Sequence, residues 1–279
     1  MKILFAGDFH GNWGEIAGPL DYYLSENPDI GFVMQAGDFG FWPWPDQGDE
    51  WPLLSRLRGM DRINNILVNR NVTLLFADGN HENHTELAKL EKGNFGNSVM
   101  SNIEHMPRGS IFNVEGGPAI AFFGGGTSLD RQHRTEGVSW WKQEAPNYAD
   151  LATLAESVQR LRVEYGGKNI DAVVSHEVPI IAGPRYDEGH HGANNGFPKI
   201  DCDIADALRN GIMMDAYDLT LPAFWFYGHH HQHRVETIIE ETALGRTFET
   251  TFVGLNRDTE SWDEIFWVQE FGANEGEGE

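Results

Sequence analysis

Val72-Thr73-Leu74-Leu75-Phe76-Ala77-Asp78-Gly79-Asn80-His81-Glu82 is an apolar run that stops at a glycine and hands over to an amide, an imidazole and a carboxylate. A run of this length closed by a turn signal predicts a buried strand over 72–79. Gly79 allows the tight turn. Asn80 offers a neutral carbonyl oxygen as a metal ligand. His81, one residue on, is free to act as a general acid on a leaving group. Taken alone, the same stretch also suits an ordinary loop that caps a helix, so its meaning depends on its surroundings.

Four further runs share the pattern. The run 2–7 ends at Asp8 with His10 two residues later, 32–37 ends at Asp38, 171–175 ends at His176, and 223–228 ends at His229-His230-His231. Reactive groups just past the C-terminal ends of buried strands are the usual arrangement in α/β sheets. Between the runs, helices are expected over 13–26, with Ile16, Leu20 and Leu24 at spacing four, and over 52–69, 83–92, 148–165 and 204–210, the last closed by Gly211. After His233 the pattern becomes β-like over 235–241, 247–253 and 264–268. Strands alternating with helices, followed by a run of strands, indicate an α/β chain with two sheets in a single domain, 1–271. The acidic tail 272–279 is expected to be disordered.

Composition narrows the function. The 279 residues carry 43 acids against 20 Lys and Arg, a net charge of −23. Such a body repels polyanions, which disfavours long nucleic acid as a partner and leaves a small phosphorylated substrate held by metal ions. The single cysteine, Cys202, excludes an internal disulfide and a cysteine zinc cluster and fits a reducing cytoplasm, the host's if the protein is phage-encoded. No apolar run approaches the roughly 18–20 residues of a membrane span, and the opening run is too short for a signal peptide.

The strand ends collect Asp8, His10, Asp38, Asn80, His176, His229 and His231. Oxygen and imidazole ligands without thiolates suit Mn²⁺ first, with Fe²⁺, Zn²⁺ and Ni²⁺ acceptable. Seven ligands are too many for one tetrahedral ion and fit two ions that share a carboxylate. Spacing i, i+2 places Asp8 and His10, and His229 and His231, on one side of an extended segment. His231 and His233 form a rival pair, and the turn at Gly228 favours the earlier one. Two ions about 3.5–4 Å apart clamp both oxygens of an in-line phosphoryl displacement, with a bridging hydroxide as nucleophile.

The ordered blocks Asp8-x-His10, Gly37-Asp38, Gly79-Asn80-His81-Glu82, His176 and Gly228-His229-x-His231 resemble the calcineurin-like metallophosphoesterases. A softer likeness, through Ser128-Leu129-Asp130-Arg131 and 134–141, is to the stand-alone proteins of that kind from bacteria and phages. The resemblance implies two mixed β-sheets packed as a sandwich and flanked by helices. It implies one ion on Asp8, His10, Asp38 and His231, a second on Asp38, Asn80, His176 and His229, and His81 as general acid and phosphate donor. One departure stands out. The Asp-Arg-Gly that follows the second block in phosphoprotein phosphatases is replaced by Phe39-Gly40-Phe41-Trp42-Pro43-Trp44. The expected activity is therefore hydrolysis of small phosphodiesters, such as cyclic nucleotides. A phosphomonoesterase, including a Ser/Thr phosphoprotein phosphatase, is the alternative, and a nuclease or a non-catalytic metal-bound scaffold is disfavoured.

Candidate substrate groups are Arg131, His133 and Arg134, which follow the glycine-rich 124–126. Arginine grips phosphate in a bidentate manner, although either arginine also suits a structural pair with Asp130 or Glu136. Phe41, Trp42, Trp44 and Trp51 either stack a base or form a small hydrophobic core, and Trp140-Trp141 carries the same ambiguity. His190-His191-Gly192 suits a lid or an exposed loop. Glu177 is a candidate partner behind a metal-binding histidine.

Overall fold

Side chains alternate across a strand, and that alternation sorts the apolar residues into layers. In the computed structural model, which describes residues 1–42, 50–184, 197–241 and 247–272 and the side chains of these except 50–57, β1 (Lys2–Ala6) sends Leu4 and Ala6 one way and Ile3 and Phe5 the other. Leu4 and Ala6 meet the helices α1 (Trp13–Glu26) and α2 (Glu50–Arg70), through residues such as Ile16, Leu20, Ile63 and Leu67. Ile3 and Phe5 face a second sheet, where the Phe5 ring stacks on Phe226 with centroids 3.6 Å apart.

The first sheet has the order β12-β1-β2-β3-β5-β4, with β2 (Phe32–Gln35), β3 (Thr73–Phe76), β4 (Asn97–Met100), β5 (Ile103–His105) and β12 (Phe266–Glu270). The second has the order β10-β11-β9-β8-β7-β6, with β6 (Ser110–Asn113), β7 (Ala119–Phe123), β8 (Ala172–Ser175), β9 (Phe224–Tyr227), β10 (Arg234–Glu241) and β11 (Thr247–Gly254). Each sheet has parallel inner strands and an antiparallel strand at each edge. The outer face of the second sheet packs through Phe123, Val173 and Trp225 on α4 (Tyr148–Glu164), which contributes Leu154, Val158 and Leu161. Asn147 caps α4: its side chain accepts from the Ala149 N–H at 2.8 Å, and Asp150 accepts from the Asn147 N–H at 2.9 Å. The chain is thus the expected sandwich of two mixed sheets flanked by helices. Among the described residues no helix is long and apolar enough to cross a membrane.

Several expectations shift. The helix expected over 83–92 is one turn, α3 (His84–Leu87), with Asn83 accepting from the Glu86 N–H at 3.2 Å. Gly211 does not close a helix. It sits in a π turn, Arg209–Met213, that joins α5 (Lys199–Leu208) to α6 (Met214–Thr220), and the chain leaves helical conformation at Leu221 with φ 39°. The wider turn lets fully buried Arg209 donate to the carbonyls of Val178, Ala182 and Pro184 at 3.1, 2.6 and 2.7 Å. β4, β5 and β6 were not anticipated, because they are short and lack clean alternation. The last strand begins two residues later than expected, after the single turn α7 (Trp262–Ile265), and crosses back to pair antiparallel with β1. Residues 273–279 of the acidic tail lie outside the described residues.

Candidate metal centre

The parallel strands β1, β2, β3, β8 and β9 all end at one edge of the sandwich, and their next residues converge there. Asp8, His10, Asp38 and His231 each place a ligand atom within 4.8 Å of the others. His10, Asp38, His229 and His231 have φ of 45°, 51°, 65° and 49°, in the left-handed region that non-glycine residues rarely enter. These segments are therefore turns, not the extended stretches expected from i, i+2 spacing. The turns fold the side chains back to one point, and such local strain is characteristic of functional sites. Close packing makes glycine necessary at two of the turns. A Cβ on Gly79 would meet the Asp38 carboxylate, and one on Gly228 would meet Asp8 Oδ1.

Asp38 lies between two groups of ligands. Its Oδ2 is 3.3 Å from His10 Nε2, and its Oδ1 is 3.2 Å from His176 Nε2. Oδ1 also accepts from the His81 N–H at 2.8 Å. In the first group, Asp8 Oδ2 is 3.2 Å from His231 Nε2. In the second, His176 Nδ1 lies 2.9 Å from the Ala36 carbonyl, so that nitrogen is the donor and the Nε2 lone pair faces inward. Nε2 then meets Asn80 Oδ1 at 3.1 Å as well as Asp38 Oδ1. Asn80 is oriented by its Nδ2, which donates to Ser128 Oγ at 3.1 Å, while Ser128 Oγ donates to Glu144 at 2.8 Å. His229 lines the cleft, and its buried Nε2 has no hydrogen-bond partner.

His176 Nε2, Asn80 Oδ1 and Asp38 Oδ1 converge, and three such acceptors repel unless a proton or a metal cation joins them. Burial opposes charge on His10 and His176, yet the carboxylates of Asp258 and Asp38 raise His10 to about 11, and Asp38 and Asp8 raise His176 to about 10. The cluster calls for positive charge, and its oxygen and imidazole donors fit divalent metal ions.

The other sequence candidates are dispersed. His81 reaches the mouth of the site with its side chain 36% exposed and Nε2 4.0 Å from Asp38 Oδ2. Partial burial, with Arg134 adding to it, pulls its pKa below the ordinary imidazole value. The Arg134 guanidinium lies alongside that ring and is tied to Asp130 Oδ1 at 2.7 Å. Arg131 instead pairs with buried Asp201 at 2.5 Å and locks the 128–134 loop to α5, and His133 bonds to its neighbour Gln132, so neither lines the cleft. Of the three candidate substrate groups only Arg134 faces the site, because Asp201 draws Arg131 away and the chain leaves the 3₁₀ turn Arg131–His133 in extended conformation at Arg134. Glu177 lies under His229 and His230, 3.7 Å from His229 Nε2 and 2.8 Å from His230 Nε2. His233, the rival ligand, packs near Trp267.

Phe41, Trp42 and Trp141 are structural. Phe41 belongs to the core, and Trp42 packs edge-on against Trp141, whose Nε1 donates to Thr85 Oγ1 at 2.9 Å. Trp44, the Trp51 side chain and His190-His191-Gly192 lie outside the described residues.

Sequence reading missed Asp258, Arg257, Asp78 and Arg108. Asp258 and Arg257 line the cleft from a loop after β11, with no local motif to announce them. Asp78 precedes the Gly-Asn-His block and is held from behind by Arg108, whose Nε and Nη2 donate to Oδ2 at 2.9 and 2.5 Å. A buried carboxylate immediately before the motif was the available signal. The cleft has a volume of about 410 Å³, and Leu129 and Phe197 supply apolar lining beside the ionic groups.

Residues 1–233 match the calcineurin-like phosphoesterase family, and the chain belongs to it. No curated protein matches the chain. Family and ligand cluster together define a metal-dependent phosphoric ester hydrolase.

Proposed function

We propose that the chain hydrolyses small phosphodiesters at a centre of two divalent ions. Asp8, His10, Asp38 and His231 would hold one ion, and Asp38, Asn80, His176 and His229 the other. The observation that carries this reading is Asp38, whose two oxygens face different imidazoles, His10 and His176. When bound, two ions, Mn²⁺ first and Fe²⁺, Zn²⁺ or Ni²⁺ by the same donor set, neutralise the phosphate and activate water.

The protein's own groups do the rest. Arg134 grips a phosphoryl oxygen, and doing so draws it off the His81 ring. With the arginine drawn away and the substrate's negative charge beside it, His81 takes up a proton from solvent and passes it to the leaving oxygen. Leu129 and Phe197 shelter an apolar or nucleoside substituent. The cleft's arginines, Arg134 and Arg257, stand beside Asp130 and Asp258. That balance suits a monoanionic diester better than a monoester dianion, and a volume of about 410 Å³ suits a small molecule. A net charge of −23 argues against long nucleic acid. Arg134 beside His81 favours a second reading, a phosphomonoesterase, since a guanidinium in the cleft can grip a dianionic phosphoryl group in a bidentate manner.

Hydrolysis of bis-p-nitrophenyl phosphate and p-nitrophenyl phosphate by Mn²⁺-loaded protein, with His81→Ala as control, tests this. A diester preference lost in the variant is expected. A monoester preference would make the phosphatase the better reading, and inactivity toward both would remove support for either.

A further inference from the structure

We infer that Asp258 is the positioning residue of His10, so that the ion site on Asp8, His10, Asp38 and His231 depends on chain beyond the family-matched region. The inference rests on the two-ion reading above. Asp258 lies outside residues 1–233, at 248 positions from its partner. Its Oδ1 is 3.1 Å from His10 Nδ1, and its side chain is 4% exposed. Asn12 Nδ2 donates to the other oxygen, Oδ2, so the carboxylate is held at both ends.

The loop is stitched in place by backbone bonds to the strand end that carries the ligands. The Asp258 N–H donates to the Asp8 carbonyl at 2.9 Å, and the Asp8 N–H donates to the Asn256 carbonyl at 3.3 Å. Asn256 is tied in turn to Glu264, its Nδ2 donating to Oε2 at 2.7 Å.

A carboxylate accepting from Nδ1–H fixes the tautomer and leaves the Nε2 lone pair for a metal. In this chain Nε2 of His10 points at Asp38 Oδ2, the centre of the ligand set. The second group takes its orientation elsewhere: His176 from the Ala36 carbonyl and Asn80 from Ser128. Loss of Asp258 should therefore weaken one ion and spare the other.

Equilibrium dialysis of the full chain with Mn²⁺, joined to Mn²⁺ electron paramagnetic resonance, reads this directly. Asp258→Ala is expected to keep one ion at wild-type affinity, to weaken the other by about 10–100-fold and to lose the spin coupling between them. Asp258→Asn, which retains an acceptor for Nδ1–H, should recover part of the affinity. Equal affinities in wild type and Asp258→Ala, or equal weakening of both ions, would overturn the inference. If Asp258→Ala does not fold, Asn12→Ala removes the second anchor of the carboxylate and should weaken the same single ion; unchanged binding there would count against the proposal. A wild-type protein that takes up one ion would sink the two-ion reading alone: weakening of that ion in Asp258→Ala would still support the role of Asp258, and unchanged binding would still overturn it.

Discussion

Arg134 lies along the imidazole of His81, with Nη2 3.0 Å from Nε2 and Nη1 3.4 Å from Nδ1. Burial and this permanent cation together favour the neutral ring, and in the proposed mechanism an anionic substrate that claims Arg134 relieves part of that pressure. Arg134→Ala is expected to lower kcat/KM by about 10²-fold, roughly 2.7 kcal/mol of transition-state stabilisation, with Lys recovering only part because it lacks the planar fork. Steady-state kinetics on the Mn²⁺-loaded protein check this, and a rise in KM at unchanged kcat would show that Arg134 binds the substrate without acting in the transition state.

Gly79 illustrates how tightly the ligands interlock. A methyl group there enters the space of the Asp38 carboxylate, whereas Gly14, in the first turn of α1, has nothing within 4 Å of the same position. Gly79→Ala should cost about 1–3 kcal/mol in stability and weaken Mn²⁺ binding. Gly14→Ala should stabilise the protein by up to about 1 kcal/mol without touching the centre. Thermal melts and metal dialysis on the two variants separate these outcomes.

Glu144 gives the protein a pH-dependent stability. Burial pushes its carboxyl up to about 7, against the Ser128 N–H and Oγ–H that bond to it. A folded pKa above the unfolded value of 4.5 means that the folded state holds the extra proton, so this stabilisation is complete below pH 4.5 and is lost as pH rises through about 7. Urea unfolding across that window should show wild type losing stability relative to Glu144→Gln, at a slope no steeper than about 1.4 kcal/mol per pH unit.

Chelation should lower the melting temperature. Asp8 and Asp38 are buried, and divalent ions offset their mutual repulsion. An ion at a hundred times its Kd stabilises by roughly 2.7 kcal/mol. Differential scanning with and without EDTA, then with Mn²⁺ restored, measures the effect, and an unchanged melting temperature would count against metal binding.

Much of the centre was legible because its information is local. Asp8, Asp38, Asn80, His176 and His229 each follow an apolar run, and a buried strand closed by a turn delivers the next side chain to the sheet edge whatever the rest of the chain does. Helix α1 was readable to the residue from Ile16, Leu20 and Leu24. Arg131 and Arg134 were not separable, since both follow the same glycine-rich segment and what distinguishes them is Asp201, distant in the chain, which draws Arg131 away from the cleft.

The sequence by itself determined the strand-end motifs and the two-sheet organisation, through periodicity and turn chemistry within a few residues, and the order of those motifs carried the resemblance to the family. Only the tertiary structure decided that the strand ends meet in left-handed turns, that Arg134 and not Arg131 faces the cleft, and that Asp258 reaches His10. Those outcomes depend on contacts across the whole chain, such as the return of β12 to β1, and a side chain 248 positions away leaves no trace in local pattern.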